Sequence, residues 1–492
     1  MTKLRRLSLP PRPPRRRNAV ARIAALACLL TGAPAARAQL LQRPTAVVNA
    51  RIVAGDGRVI ENGTLLVQGE RIAALGRDVK VPMLSRKIDA QGATVTAGLI
   101  DVWSLLGRTG ESSGTAGPTR RAEDAFDRYD SAHLVDALRH GVTAVCLSPS
   151  GPQGVCGSGA VIRLAPGSDG PQSLGRVLKS QAALCIDLGS DNTPVTRLKT
   201  LRAVQKQFRE ALQYRQSLEQ YEEDLAEYKK QLRERASKKS EKEAEKPEDK
   251  PKEEQKSKQG SASVPSAADE EKPKDEQAEK QEDKKEETAL KKPQRPEPKH
   301  ELEILLHAVD HELPVRILAH RSADILNALE LARTFSLDLI LEGGAEAHLV
   351  AAQIADAEVP VILGSTARNG LRQDDVFRRT IPNCGTVLGQ AGVRWIVASG
   401  AEDAAAARFV LLGAQLAAAS NRLNDPLRLV TADAAELLRV ADQIGRLRPG
   451  LLADFVLWSG DPLDPASKVV RVYVGGTPVY QTPDEPEKGG AE

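Results

Sequence analysis

The stretch TAGLIDVWSLLG, residues 96–107, decides the fold class of this sequence. Leu99 and Ile100 open a short apolar run that is typical of a buried strand. Asp101 is expected at the rim, where that strand leaves the core. The stretch therefore predicts a core strand, and the residues after Asp101 are expected to lie at its carboxyl end.

Seven further apolar runs follow this strand, and helix-like stretches come after several of them. The eight strand candidates occupy residues 98–103, 142–148, 160–164, 183–188, 314–319, 337–342, 359–364 and 394–399. SADILNALELARTF, residues 322–335, places its apolar residues on roughly one helical face. This alternation predicts an α/β protein with a parallel (β/α)8 TIM-like barrel. An open doubly wound sheet is the structural alternative, and either architecture puts its chemistry at the carboxyl ends of the strands.

Strand-like sequence also stands at both ends of the region that would form the barrel. Residues 45–75 alternate Val, Ile and Leu with polar residues between Gly-rich turns, and residues 453–480 repeat that texture. Two distant segments of matched character predict a small composite β-sandwich domain. The barrel would then be inserted between its two halves.

The first 38 residues are typical of an export signal. A basic region with interspersed prolines precedes the apolar run IAALACLL, residues 23–30, and APAARA ends at Ala38. We therefore expect cleavage after Ala38 and a periplasmic or extracellular protein. Acylation of Cys28 is the alternative, which Ala25 disfavours because a larger aliphatic residue is usual there. The apolar run is too short for a stable transmembrane helix, and we expect no membrane span.

The composition limits the function classes. The 69 basic and 66 acidic residues nearly cancel to a net charge of +3, which does not indicate a nucleic-acid partner. Of the four cysteines after Ala38, none forms a CxxC pair, so a structural zinc site is not expected. Cys146 and Cys156 lie close enough in sequence to pair in an oxidising compartment, but free thiols fit the sequence equally well.

A charged segment interrupts the barrel. Residues 201–228 predict a long helix, and residues 229–299 are rich in Lys, Glu, Asp, Gln, Pro and Ser. Such a segment buries too little apolar surface to offset the entropy cost of ordering, so we expect a disordered insertion. It is either a solvated loop or a partner-binding arm. The predicted organisation therefore has seven parts. These are the signal (1–38), the first part of the β domain (39–97), the first part of the barrel (98–200), the insertion (201–299), the second part of the barrel (300–440), the second part of the β domain (441–481) and a disordered tail (482–492).

Four stretches in this order resemble the amidohydrolase superfamily, nearest to its imidazolonepropionase-like and prolidase-like branch. NARIVAGDGRVIENGTLLVQGERIAALG (49–76) is similar to the opening sheet of that family, and IDAQGATVTAGLIDVWSLLG (88–107) is similar to the approach to its first barrel strand. GVTAVCLSPS (141–150) resembles the second barrel strand, and IGRLRPGLLADFVLWSGDPLD (444–464) resembles the closing sheet.

The resemblance implies metal-assisted hydrolysis with one or two divalent ions, usually zinc, held at the strand ends. In the family, an H-x-H pair follows the first strand, and a Lys or Glu stands on the fourth. One His stands on each of the fifth and sixth strands, and an Asp on the eighth. A bound divalent ion lowers the pKa of its water, and the Asp usually acts as general base.

This sequence departs from the family pattern at nearly every ligand position. The H-x-H positions hold Trp103 and Leu105, and the histidine positions of strands five and six hold Leu318 and Gly343. None of these four residues has a side chain that binds zinc, and we expect no cofactor. The fourth strand offers Asp187 but no Lys or Glu. Ser399, Gly400 and Ala401 stand where the final Asp belongs, and Glu402 and Asp403 follow outside the expected register.

Polar residues do remain near the expected mouth of the barrel. These candidate pocket residues are His320, Arg321, Asp324, Glu342 and Glu346. They form either a retained binding pocket, with His320 and Glu342 as a possible acid/base pair, or a set of helix caps and salt bridges. In the second interpretation Ser322 or Asp324 caps the helix that follows His320.

Three functional hypotheses follow. The first is an exported amidohydrolase-like protein without the family's metal, which acts as a ligand-binding or assembly module, either as a single chain or as a homo-oligomer. The second is an active hydrolase of amide, imide or other C–N bonds that uses a displaced site. The third is an interaction protein whose charged insertion matters more than its barrel. The sequence does not identify the small-molecule ligand.

Overall fold

The computed structural model describes residues 43–108, 117–149, 153–167, 173–189, 193–244, 291–364, 381, 383–400, 407–419 and 425–483. The predicted export signal, Cys28, most of the charged insertion and the end of the predicted tail lie outside these residues. The chain divides into two compact units. Met1–Lys206 and His307–Glu492 form the first unit, and Gln207–Leu306 form the second.

Two eight-stranded sheets build the first unit. In chain order their strands are β1 Thr45–Val53, β2 Val59–Gln68, β3 Arg71–Gly76, β4 Arg86–Asp89, β5 Thr94–Ala97, β6 Leu99–Ser104, β7 Val142–Leu147, β8 Gly154–Pro166, β9 Leu174–Asp187, β10 Val315–Ala319, β11 Leu339–Gly343, β12 Val361–Leu363, β13 Trp395–Val397, β14 Phe455–Trp458, β15 Val469–Val474 and β16 Thr477–Gln481.

The first sheet confirms the composite β domain. Its strand order is β16-β15-β14-β5-β1-β2-β3, and β4 pairs with the start of β1. The N- and C-terminal segments meet where β5 and β14 run antiparallel, with Ala97 opposite Phe455. Phe455 stacks on Tyr473 of β15 with ring centroids 4.5 Å apart, inside a core of alternating Val, Ile, Leu and Ala side chains.

The second sheet is the predicted barrel. Its order is β13-β12-β11-β10-β9-β8-β7-β6, and all eight apolar runs form strands of this sheet. The expectation of an all-parallel barrel is wrong at one strand, because β8 is antiparallel to both β7 and β9. Only residues 148–153 and 167–173 connect these three strands, and a parallel crossover needs a longer connection.

Contacts between β6 and the end of β13 close the barrel at its two edge strands. The Gly400 amide donates to the Trp103 carbonyl oxygen at 2.8 Å, and the Ser399 amide donates to Asp101 Oδ1 at 2.9 Å. Asp101 is therefore fully buried in the closing seam and not at the rim, as the sequence suggested. The chain turns at Ser399 and Gly400 toward β6, which brings the carboxylate of Asp101 within reach of the Ser399 hydroxyl.

Helices lie between the other barrel strands and also follow β13. In the described residues they are α1 Ser131–Arg139, α2 Pro194–Ala244, α3 His300–Val309, α4 Ser322–Phe335, α5 Ala351–Asp356, α6 Cys384–Gln390, α7 Ala407–Ala419 and α8 Ala432–Leu437. None of the helices in this part of the chain is long and apolar enough to cross a membrane.

The helix α2 is longer than the sequence suggested, because it continues past Tyr228 to Ala244. The added turns consist mainly of Lys, Arg, Glu and Ala, which are good helix formers even when they bury nothing. Side-chain amides also support the exposed turns, since Gln231 donates to Glu227 and Gln220 to Asp224, each at 2.9 Å.

Candidate functional site

The interior of the barrel holds a buried ion pair that the sequence analysis did not identify. Arg316 on β10 is 1% exposed and pairs with the carboxylate of Glu342 on β11. The Arg316 guanidinium also donates to Cys146 Sγ on β7 at 3.0 Å. Because β7 lies three strands away from β10 in the sheet, the guanidinium reaches across the interior.

Burial and mutual attraction act against each other in this pair. Burial raises the pKa of Glu342, and the attraction of Arg316 only partly opposes that effect. Burial disfavours the charge of Arg316, but Glu342, Cys146 and Cys185 together outweigh it and raise the pKa of Arg316. Burial raises the pKa of Cys146, which keeps its thiol protonated. All four cysteines of the described chain are buried and free, so Cys146 and Cys156 form no disulfide.

Trp103 covers the carboxyl ends of two neighbouring strands. Its ring lies directly against Gly364, which follows β12, and a Cβ atom at Gly400 would stand 3.1 Å from the Trp103 ring. Leu105 is half-buried in the turn that follows β6. An indole therefore occupies space at the mouth that a metal site of the implied kind would need.

The imidazole of His320 packs against Gly343 in space that a side chain at position 343 would occupy. Gly343 has φ = +97°, and a Cβ atom there would lie 2.6 Å from Cε1 of His320 and 3.1 Å from Leu318 Cδ1. The position of the expected strand-six histidine is thus covered by the imidazole that follows β10. Burial lowers the pKa of His320 to about 4, with the nearby Arg321 contributing, so its imidazole is neutral at physiological pH.

The remaining candidate residues fix the start of α4. Glu346 accepts hydrogen bonds from the Ser322 amide at 2.8 Å and the Ser322 hydroxyl at 2.9 Å. The expected cap by Ser322 or Asp324 is wrong, because Arg321 is the N-cap residue and makes no side-chain cap bond. A buried carboxylate from the next strand end satisfies the first amide of the helix instead.

Asp324 belongs to a different cluster. It accepts from Arg197 Nε of α2 at 3.1 Å, and Arg321 stands 3.9 Å away. Burial raises its pKa, and the two arginines oppose that shift. The five candidates therefore have separate structural roles. Glu342 belongs to the interior ion pair, Glu346 caps α4, Arg321 and Asp324 belong to a second ion cluster, and His320 packs on Gly343.

The residues present do not fit the metal that the resemblance implies. Trp103, Leu105, Leu318 and Gly343 supply no donor atom, and Asp187 accepts the Gly189 amide at 2.9 Å in a local turn. Within the described ranges, no group of three His, Cys, Asp or Glu side chains could hold a metal ion. Ala401, Glu402 and Asp403 lie outside those ranges.

Sequence reasoning missed Arg316, Cys146 and the Asp101–Ser399 bond. An arginine inside the apolar run PVRILA was the available signal, since a charge at an inward position of a core strand needs a partner. Its partner could not be assigned, because Glu342 follows it by one whole strand–helix repeat.

Comparisons with known proteins agree with this architecture. The profile described as "Amidohydrolase family" matches residues 234–479, which is half of the chain. No curated protein matches the chain.

Solved structures share the fold at low identity. An amidohydrolase from Thermotoga maritima MSB8 is 22% identical with a TM-score of 0.66, and the match covers 89% of this chain and 100% of that one. An uncharacterized protein is 16% identical with a TM-score of 0.51 over 89% of this chain and 100% of its own. At these identities the likeness shows the fold alone.

Proposed function

Because the chain belongs to the amidohydrolase family, we propose that it is an exported member of that family that does not carry out metal-dependent hydrolysis. Its barrel would serve as a ligand-binding or assembly scaffold. The observation that carries this proposal is the absence of donor atoms at Trp103, Leu105, Leu318 and Gly343. A zinc site needs three or four donors, so the loss of these four positions together leaves too few.

The packing around these positions supports the same conclusion. Trp103 takes up space at the ends of β12 and β13, and His320 lies over Gly343, where a ligand side chain would have to begin. Glu342, the remaining inward carboxylate of β11, is held by Arg316. An arginine and a tryptophan thus fill the interior with contacts that require no metal ion.

Metal content and hydrolysis give the direct test. We expect the full chain, purified without chelator and dialysed, to retain well below one equivalent of zinc, iron or manganese by elemental analysis. We also expect no turnover of dipeptide, amide or imide substrates when these metals are added back. A near-stoichiometric metal that survives dialysis would overturn the proposal.

An active C–N hydrolase with a displaced site is the second candidate, and the position of His320 favours it. Its imidazole lies at the carboxyl end of a barrel strand, where catalytic groups of this architecture stand, although burial lowers its pKa to about 4 and makes it a weak base. If any hydrolysis is found, His320→Ala should abolish it, whereas His133→Ala on the exposed start of α1 should not. Activity that survives His320→Ala would exclude this candidate.

Export rests on the basic, apolar and small-residue order of the first 38 residues. We expect the mature chain in the periplasmic fraction to begin at Gln39. Arg15, Arg16 and Arg17 replaced together by Glu should retain the precursor inside the cell. Recovery of an uncleaved chain from the cytoplasm of the native cell would contradict this part of the proposal.

A further inference from the structure

In the second unit, one face of α2 carries a row of leucine and tyrosine side chains. Along α2, leucine and tyrosine alternate at steps of three and four residues, which places them on one heptad seam. We call this seam the Leu/Tyr stripe, and its members are Leu218, Tyr221, Leu225, Tyr228 and Leu232.

The stripe residues are more exposed to solvent than the helical turn that precedes them. Tyr214 is buried, its hydroxyl donates to Glu303 at 3.4 Å, and the Lys299 amide donates to the same hydroxyl. By contrast, Leu232 is 43% exposed, and the other four stripe residues are only half-buried. Apolar side chains repeated along a seam and left partly in water favour association with another helix.

The charges beside the stripe specify what kind of helix fits. Within the stripe, the segment 218–227 before Tyr228 is acidic and has no Lys or Arg, and the segment after Tyr228 is mainly basic. The acidic residues are Glu219, Glu222, Glu223, Asp224 and Glu227, and the basic ones are Lys229, Lys230, Arg233, Arg235 and Lys238. A second copy of the same helix in parallel would place like charges side by side, whereas an antiparallel copy would place acidic beside basic residues.

We propose that α2 self-associates through the Leu/Tyr stripe as an antiparallel two-stranded coiled coil between two copies of this chain. Leucines at a positions and tyrosines at d positions then meet across the seam. Leu225 packs on Tyr228 of the second copy, Leu232 packs on Tyr221, and Glu222 faces Lys229. The inference deepens the assembly role proposed above, but its test needs neither metal nor substrate.

Light scattering after gel filtration tests the association. The full chain, with a mass of 52.9 kDa, is expected at twice that mass in low salt, and high salt should weaken the dimer. The Leu225→Asp/Leu232→Asp variant should run as a single chain. Ala226→Asp places one such charge at an exposed position beside the stripe and should remain dimeric.

Either of two results would overturn the proposal: a wild-type chain of single mass, or a dimer that the double variant leaves intact. Loss of the dimer in Ala226→Asp would do so too, since it would mean that helix stability alone is responsible.

Disulfide trapping tests the orientation and avoids charge substitutions. In a Cys28→Ser background, Tyr221→Cys and Leu232→Cys chains should cross-link when mixed under oxidation. Neither should cross-link to itself, because identical positions would lie about 16 Å apart along an antiparallel coil. Self-linked chains, or no link in the mixture, would overturn the antiparallel arrangement. An Ala226→Cys chain mixed with Leu232→Cys is the control and should stay unlinked.

Discussion

The folded structure disfavours the charged form of Asp101. This residue lies fully buried in the seam of the barrel, and burial raises its pKa from 3.8 to about 6 despite the hydrogen bonds from Ser399. Above pH 6 the folded chain must hold a buried carboxylate that the unfolded chain solvates freely. Well below pH 4 the carboxyl is protonated in both states and the penalty vanishes. This group therefore lowers stability progressively as the pH rises through the range of roughly 4 to 6, and the loss reaches about 3 kcal/mol well above pH 6.

Replacing Asp101 with Asn should remove that pH dependence. Asparagine keeps the shape and an acceptor for the Ser399 amide but carries no charge. The measured quantity is the melting temperature of Asp101→Asn minus that of wild type. We expect this difference to be several degrees more positive at pH 7.5 than at pH 4. Asp464→Asn in an exposed turn is the control and should show no such change. An equal difference at both pH values would mean that Asp101 is not a buried, titrating group.

Gly343 is required by its contact with His320 and by its backbone. A methyl group there meets the imidazole at 2.6 Å, and φ = +97° disfavours any side chain. Gly343→Ala should lower the free energy of unfolding by about 1–3 kcal/mol, as measured by urea titration.

His320→Gly should relieve the steric part of that cost, so the double variant should lose less than the sum of the two single losses. Strict additivity would show that the backbone conformation alone accounts for the requirement at Gly343.

At the scale of the elements, the ion pair between Arg316 and Glu342 couples β10 to β11, and the Cys146 bond extends it to β7. Removing one charge leaves the other buried without its partner. Glu342→Leu should therefore cost about 3–5 kcal/mol of stability, and Arg316→Met a similar amount.

The double variant Arg316→Met/Glu342→Leu should recover most of that loss, because apolar side chains of similar size suit the interior. A double-mutant cycle by denaturant unfolding measures the coupling. Additive losses would contradict a direct pairing.

The strands were predictable because each one is a compact apolar run, and the order of the runs along the chain fixes their neighbours in the barrel. The direction of β8 was not predictable from the runs, because it depends on two connections too short for a crossover. The donor-free positions could be read from the sequence once the strands were aligned with the family. The contacts of Arg316, Glu346 and Asp101 could not, because each partner lies on a different strand or helix and only the closed barrel brings them together.

At the scale of the first unit, one buried arginine joins the barrel to the β domain. Arg163 of β8 donates to both carboxylate oxygens of Asp454, at 2.6 and 2.7 Å, and Asp454 also accepts the Gly475 amide. Burial disfavours charge on Arg163, yet Asp454 and Glu70 together outweigh this and raise its pKa. Glu70 approaches the same guanidinium at 3.2 Å from a more exposed position. Asp454 is buried and accepts two bonds from Arg163, whereas Glu70 is more exposed and makes one contact with this arginine. Comparing the two therefore tests which of them anchors the junction.

Asp454→Asn should destabilise the first unit by about 3–5 kcal/mol, because it leaves the Arg163 charge buried and poorly paired. Glu70→Gln removes a pair that water already screens and should cost less than about 1 kcal/mol. Tryptophan fluorescence during thermal unfolding reads both variants, since Trp458 lies buried four residues after Asp454 and its indole donates to Thr96 of β5 at 2.9 Å. Equal effects of the two substitutions would show that the buried, two-bond contact of Asp454 does not set the strength of the junction. A larger effect of Glu70→Gln would place the main connection at the exposed edge of the β domain.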